Sequence, residues 1–514
     1  SIKEMDIMPY IRDRVTKGDS RNNLDMILEA HSAYTYYHNR WQFLGDSYQG
    51  GYDYFAGKYL EPYYYESRED YEKRLRMLAV DNHTKSVVGI YNSFLFRKQP
   101  KRDMASLQGA AMDSFMQDAD LDGRSFDAFI RDLSTLTMVY GNAWVIVDKP
   151  TTQVTTRAEE LEQGLRPYVS IFTPDNVLDW EYSRQSNGAY TLNYLKVKEE
   201  VVGANQYIRE YTLDEINVYI IRGNEKDGEL FETIPNTLGR IPAVCVYAQR
   251  GNVRGVGLSA IGDIADVQKE LYEFSSEIEQ IVRLTNHPTL VKTVDTEASA
   301  GAGSIVQLPQ GLDPGLKPYL LQPDGASIDA VLGAMKGKID SIDRMACLGG
   351  IRSIESRRLS GIGLQTEFQM LNAKLADFAM NLEHAEEQIW RMWAMYQGQV
   401  WDGYVEYSRS FSIQDKFNDI NMLKMAKEAN VTNPGMIKDI DNRIYETIFE
   451  EEFKEELGAD QGVRALGSDA MVHGTVTSAV DMVKHLREMY AQGYTDEQIL
   501  NLHPEFSGLF GNGE

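Results

Sequence analysis

Hydrophobic positions recur every three or four residues along three long stretches of the chain. In the first, Ile261, Ile264, Val267, Leu271, Phe274, Ile278 and Ile281 fall on one face. That spacing predicts an amphipathic helix of about 26 residues, roughly 40 Å long. It ends at Asn286-His287-Pro288, since proline disfavours helix at the residue before it. The second begins near Ser327, with Ile328, Val331, Met335, Ile339, Ile342 and Met345 on one stripe. The third is the longest: Leu364, Phe368, Leu371, Leu375, Phe378, Leu382, Ala385, Ile389, Met392 and Tyr396 keep a period near 3.5. Its roughly 34 residues would span about 50 Å.

The first 50 residues read as short amphipathic helices with polar turns. A tyrosine-dense segment, Tyr59 to Leu75, follows, and Ser67 three residues before Asp70 marks a helix start. A second helix is expected near Thr84–Phe96, and helical patterns continue to Tyr140. At Gly141 the period changes. Ala143-Trp-Val-Ile-Val147 is a continuous apolar run, the mark of a strand buried on both faces, and Tyr168–Phe172 is another strand. Further strands are expected at Tyr190–Val197, Tyr207–Leu213, Glu215–Arg222 and Ala243–Tyr247, giving an antiparallel sheet of hairpins. Between the first two long helices, Pro288 to Gly325 is extended and broken by Gly and Pro. After Tyr404–Phe411, a strand, the chain is helical and acidic, broken at Asn430–Gly435, acid-dense over Glu446–Asp460, with helices at Ser478–Gly493 and Thr495–Leu502. The fold class is therefore α+β and mainly helical.

The 52 Lys and Arg against 77 Asp and Glu leave a net charge of −25. That excludes ordinary electrostatic binding to nucleic acid, which needs a basic surface to displace counterions. It also argues against docking on an anionic membrane. No run of about 18 apolar residues is present, so no membrane span is expected, and the charged start SIKEMDIMPYIRDR is not a signal peptide. The two cysteines, Cys245 and Cys347, cannot build a disulfide framework or a cysteine metal site and read as small core residues.

Catalytic signatures are missing. Gly333-Ala-Met-Lys-Gly337-Lys338 is one residue short of a phosphate loop, and Ile339 stands where a Mg²⁺-binding hydroxyl belongs. Glu383-His384-Ala-Glu386-Glu387 has metal-ligand residue types, but on a helix these carboxylates are expected to fan over a solvated surface. A carboxylate-pair hydrolase is the remaining enzyme reading, and an acidic helical scaffold or adaptor without a DNA channel the remaining binding one. No catalytic residue, metal ligand or cofactor is assigned.

Several stretches match one family in order. Tyr59-Leu60, Tyr71-Glu-Lys-Arg-Leu75, Phe94-Leu-Phe-Arg97 and Pro100 look like its opening helices. Tyr140-Gly-Asn-Ala-Trp-Val-Ile-Val-Asp148 is similar to its first core strand, and Gly257-Leu-Ser-Ala-Ile261 to the start of its first stem helix. Gly361-Ile-Gly-Leu-Gln-Thr-Glu-Phe368 resembles the glycine-bearing end of the loop before its long helix. Over roughly residues 55–425 the chain thus resembles the portal (head–tail connector) proteins of tailed bacteriophages.

The resemblance implies a wing over 1–258, a stem of two helices at 259–286 and 326–347, and a clip at 287–325 between them. It implies a tunnel loop at 348–362, a long helix returning to the wing over 363–425, and a helical crown over 426–514. It also implies a ring of twelve copies at the portal vertex of the capsid in the virion, assembled in the host cytoplasm. Double-stranded DNA would pass through without sequence readout, and the partners would be the major capsid protein, the terminase large subunit and head–tail adaptors. Within that frame Arg352, Arg357 and Arg358 of the loop, set against the one acid Glu355, are expected to reach the lumen and touch phosphates. Lys336 and Lys338 are weaker channel-wall candidates. Ser304, Val306, Leu308, Lys317 and Tyr319 are the clip candidates for terminase or adaptor contact, on β-prone pieces with open edges.

Overall fold

The computed structural model describes residues 23–51, 54, 58–77, 79, 81–150, 165–223, 228–286, 289–292, 313, 315, 317–321, 326–352, 361–409, 411, 423–425, 440 and 442–444. It divides into two compact units, Ser1–Ser412 and Ile413–Glu514. Of the second only the last seven described residues are placed. The acid-dense 446–460 stretch and the expected helices at 478–493 and 495–502 therefore lie outside the described residues, as does the expected break at 430–435.

The first unit mixes helix and strand. It opens with α1 (Asn23–Ile27), α2 (Ser32–Gln49), α3 (Arg68–Met77), α4 (His83–Leu95), β1 (Lys101–Asp103), α5 (Ala110–Gln117) and α6 (Phe126–Tyr140). The strands β2 (Asn142–Asp148), β3 (Tyr168–Phe172), β4 (Val177–Arg184), β5 (Tyr190–Lys198), β6 (Asn205–Tyr211), β7 (Glu215–Arg222), β8 (Glu229–Pro235) and β9 (Ala243–Tyr247) follow. A short ribbon, β10 (Gln249–Arg250) with β11 (Gly257–Leu258), leads into α7 (Gly262–Asn286). Then come β12 (Thr289–Val291), β13 (Tyr319–Leu321), α8 (Ala326–Met345), α9 (Gly349–Arg352), α10 (Gly361–Tyr396) and β14 (Tyr404–Glu406).

The helix starts follow from capping. Asn82 accepts the Lys85 N–H ahead of α4, Ser125 accepts that of Ala128 ahead of α6, and Ser67 accepts that of Asp70 in α3. Helix α6 ends at Gly141, whose left-handed backbone (φ 93°) a side chain would strain. That glycine also backs so closely onto Gly257 that a Cβ on either would collide with the other's backbone. The close approach fixes the start of α7 beside the end of α6.

Strands β2–β9 form two antiparallel sheets, β3-β2-β9 and the meander β4-β5-β6-β7-β8, beside the two-stranded pairs β1-β14, β10-β11 and β12-β13. Strand β2 is buried from Asn142 to Val147, as its unbroken apolar run predicts. Val145 and Val147 pack into the main core with Phe129 and Leu133 of α6 and Ile389 and Trp390 of α10. Trp144 and Ile146 belong to a second core with Trp41, Trp180, Val197 and Tyr211. Strands β4 and β8 are not expected from the sequence: charged residues interrupt the alternation in β4, and β8 is exposed along nearly its whole length. The pairing of β1 with β14 is likewise unexpected, since three-residue charged strands carry no period. No described helix is long and apolar enough to cross a membrane.

The cluster around His384 departs from the expected solvated face. Glu386 is fully buried, not exposed. It pairs with the half-buried Arg102 of β1 and accepts hydrogen bonds from Trp390 Nε1 (3.1 Å) and the Tyr407 hydroxyl (2.8 Å). Arg102 reaches on to Asp127 at 2.6 Å and lies over the Phe126 ring. Glu383 is held by Arg409 and Glu387 by Arg391. Glu386 therefore ties β1, α10 and the segment after β14 together, while Glu383 and Glu387 make ion pairs at the surface.

Candidate functional site

Helices α7 and α8 form an antiparallel hairpin. The antiparallel pair β12–β13 joins their distal ends, with Val291 opposite Tyr319 and Thr289 opposite Leu321, and Lys338 pairs with Glu270 between the helices. At the core end Ile264, Ala265, Leu271 and Ile342 are buried. Farther out Ile278, Ile281, Val331, Met335 and Ile339 are only half-buried, and Leu332 is 48% exposed. The apolar stripes are thus longer than the surface this one chain provides to cover them.

The far end of α8 is capped without glycine. The Leu348 N–H bonds to the Asp343 carbonyl and the Cys347 N–H to that of Arg344, with Cys347 itself left-handed (φ 56°). This is the paired hydrogen-bond pattern that usually places glycine at the reversal. Cys347 packs partly buried against the main core and Cys245 against the second one, where burial pushes the Cys245 thiol up to about 12.

Just beyond the reversal, α9 is clamped from three sides. Arg352 Nη1 lies 2.9 Å from Asp343 of α8, and its Nη2 lies 2.5 Å from His83 Nδ1 at the start of α4. The Gly349 N–H donates to Glu367 of α10 at 2.5 Å. Tyr91 donates to the Ala346 carbonyl at 2.8 Å and accepts from Lys374 Nζ at 3.1 Å. Burial first, and the Arg352 charge next, press His83 below its ordinary value of 6.5 against the pull of Asp81. His83 is therefore neutral at neutral pH and its Nδ1 accepts from Arg352. Beside this root a cavity of about 410 Å³ is lined by Tyr91, Lys374, Asp263, Asp377, Asn381 and Arg250, among others.

The depressed His83 pKa has a consequence. As pH falls below 6.5 the unfolded chain takes up the proton before the folded one, so the folded state loses stability on acidification. Replacing His83 by Gln should flatten that part of the stability–pH curve between pH 7 and 5. Denaturant midpoints at stepped pH measure it, and an identical slope in both proteins would refute the assignment.

Of the sequence candidates, Arg352 sits in the clamp, half-buried, while Arg357 and Arg358 lie outside the described residues. Lys338 faces Glu270, and Lys336 is exposed on α8. Lys317 and Tyr319 are exposed, the latter on the strand that pairs within the hairpin, so one edge of that expected open piece is taken up by the chain itself. Ser304, Val306 and Leu308 lie outside the described residues. Asp343, His83 and Glu367 are not among the sequence candidates, because nothing in their spacing links them to Arg352 and Gly349. Among the described residues no group of three or more His, Cys, Asp or Glu side chains is arranged to hold a metal ion.

The model of the family described as phage portal protein, SPP1 Gp6-like, matches residues 35–307. No curated protein matches the chain. Among solved structures, the neck of an empty GTA particle computed with C6 symmetry is similar at a TM-score of 0.41 and 10% identity, over 72% of this chain and 92% of that one. The virion of a native gene transfer agent particle is similar at a TM-score of 0.40 and 9% identity, over 74% and 95%.

Proposed function

The chain belongs to the SPP1 Gp6-like phage portal protein family, a structural rather than an enzymatic one, and from that premise we propose that its copies form a ring, of twelve subunits, at one vertex of a capsid. Double-stranded DNA passes through the ring during packaging and ejection. The observation that carries the reading is the α7–α8 hairpin, whose stripes of Ile278, Ile281, Val331, Leu332 and Met335 stay half-covered in a single chain. An amphipathic helix draws most of its stability from packing its apolar face, and neighbouring copies in a ring would cover both stripes.

In this reading the hairpin is the stem, and residues 287–325 form the clip on which the terminase and later the head–tail adaptors dock. Lys317 and Tyr319 are the described clip candidates, with Ser304, Val306 and Leu308 beside them in sequence. Residues 348–362 form the tunnel loop, with Arg357 and Arg358 toward DNA. Residues 1–258 and 363–425 form the wing and 426–514 the crown, which meets the capsid interior. The ring belongs to the virion and assembles in the host cytoplasm.

One negative-stain image of the purified chain tests this. Rings with a central hole wide enough for a duplex are expected. A uniform field of compact globules at micromolar concentration would overturn the reading.

A further inference from the structure

Between Leu60 and α3 the chain makes a turn that holds two aromatic rings out in water. Tyr64 is 91% exposed and Tyr65 94%, their rings edge to face 4.7 Å apart. The turn itself is pinned. Arg74 of α3 pairs with the equally buried Glu66 at 2.6 Å, donates to the Glu61 carbonyl at 2.9 Å and lies over the Tyr63 ring. Glu66 also accepts the Tyr63 N–H, and Tyr71 donates to the Leu60 carbonyl. Rings held in place this way lose little freedom on binding, and tyrosine is enriched where protein surfaces meet.

Arg74 also fixes where the turn stands. Its Nη1 donates to Ser276 of α7 at 2.8 Å, and Tyr272, one turn earlier on α7, packs with Tyr54 and Leu60. Glu270 reaches across to Lys338 of α8. At about 100° per residue, Tyr272 and Ser276 therefore lie on the flank of α7 turned away from α8.

The opposite flank of the hairpin is nearly bare. Ala330, Gly333 and Gly337 are exposed on α8, on the side away from Met335 and Ile339, which pack toward the core. A Cβ at Gly333 or Gly337 would meet nothing within 4 Å. Glycine inside a helix is less stable than alanine, so nothing within the single chain accounts for either residue. A surface that must approach the helix backbone closely would. Because Lys338 meets Glu270 and the helices are antiparallel, Ser276 stands about level with Leu332 and Tyr272 with Lys336. The tyrosine turn on one flank and the two glycines on the other are thus at the same height along the hairpin. Their charged neighbours are of opposite sign, Glu61 beside the turn and Lys336 between the glycines, both exposed.

We propose that Tyr64 and Tyr65 of each copy pack on Gly333 and Gly337 of the next. The contact rests on the ring reading above and adds to it the two faces that meet. A rotation about the ring axis carries a copy sideways without changing its height. With the hairpins standing along that axis, two different surfaces of one chain close a ring only when they lie at one level, as these do.

Photo-crosslinking on the full chain tests it. Tyr65 is replaced by p-benzoylphenylalanine, which keeps an aromatic ring at the position and bonds to carbon atoms touching its ketone. On irradiation of assembled rings, adducts between copies are expected, mapped by mass spectrometry to the peptide carrying Gly333 and Gly337. Rings whose adducts map elsewhere, or that give none, would overturn the proposal and leave the ring standing. No rings in the unaltered protein would overturn both. A second measurement uses Gly337→Leu, whose side chain enters open space in the single chain. Its denaturant midpoint should not fall, while the concentration at which rings half-assemble should rise about tenfold or more. Assembly at the original concentration would overturn the contact.

Discussion

Glu386→Ala is expected to destabilise the fold by about 3–5 kcal/mol, because it leaves the Arg102 guanidinium charged and without its main partner in a nearly dry place. The carboxylate is fully buried and joins three elements at once: Arg102 on β1, Trp390 on its own helix, and Tyr407 just after β14. Burial first, and the neighbouring carboxylate next, hold the Tyr407 phenol far above its ordinary range, so it stays a donor at any working pH. Arg102→Met should cost a similar amount, since it strands the buried anion instead. The double variant Arg102→Met/Glu386→Leu should cost less than either single change, because a well-packed apolar pair avoids both desolvation terms. Denaturant unfolding followed by far-ultraviolet circular dichroism reads this directly. A single variant within about 1 kcal/mol of the original, or a double variant as damaging as the two singles combined, would refute it.

That site also marks the limit of the sequence reading. The three long helices are legible because their apolar stripes are continuous, and β2 because both of its faces are apolar. Glu386 was misread, although a signal exists: it lies four residues from Leu382 and from Trp390, on the buried stripe itself. A carboxylate in such a stripe requires a buried cation, but the cation comes from Arg102, on a strand too short to show a period. Strand β8 escaped for the opposite reason, since its residues are held by backbone pairing with β7 and not by any alternation of burial. The apolar stripe that ends at Met345 marks the end of α8, although its cap uses Cys347 and not the glycines nearby. The long-range contacts that make the α9 clamp, from His83, Asp343 and Glu367, depend on the tertiary fold alone.

The clamp divides the three loop arginines, and with them the expected effect on DNA. Arg352 has two partners within 2.9 Å, Asp343 and His83, both largely buried, and drawing it toward a phosphate would break both contacts. Arg352→Ala is therefore expected to weaken the fold by about 2–4 kcal/mol, as the loss of one partner from a buried pair does, whatever its effect on DNA. Arg357 and Arg358 are the cations left to contact the duplex in the portal reading. With a net charge of −25 per chain, twelve copies carry on the order of −300 and repel a polyanion within the Debye length. Against such a wall a few cations per subunit can guide DNA without holding it, whereas a basic wall would bind tightly and stall its passage. Arg357→Ala with Arg358→Ala should then leave ring assembly and the denaturant midpoint unchanged while lowering the yield of DNA-filled particles about tenfold. Packaging assays alongside negative-stain counts of intact rings measure both quantities. If filled particles form at the original yield, these arginines have no part in handling DNA. If the rings themselves fail, the two side chains serve assembly rather than the channel.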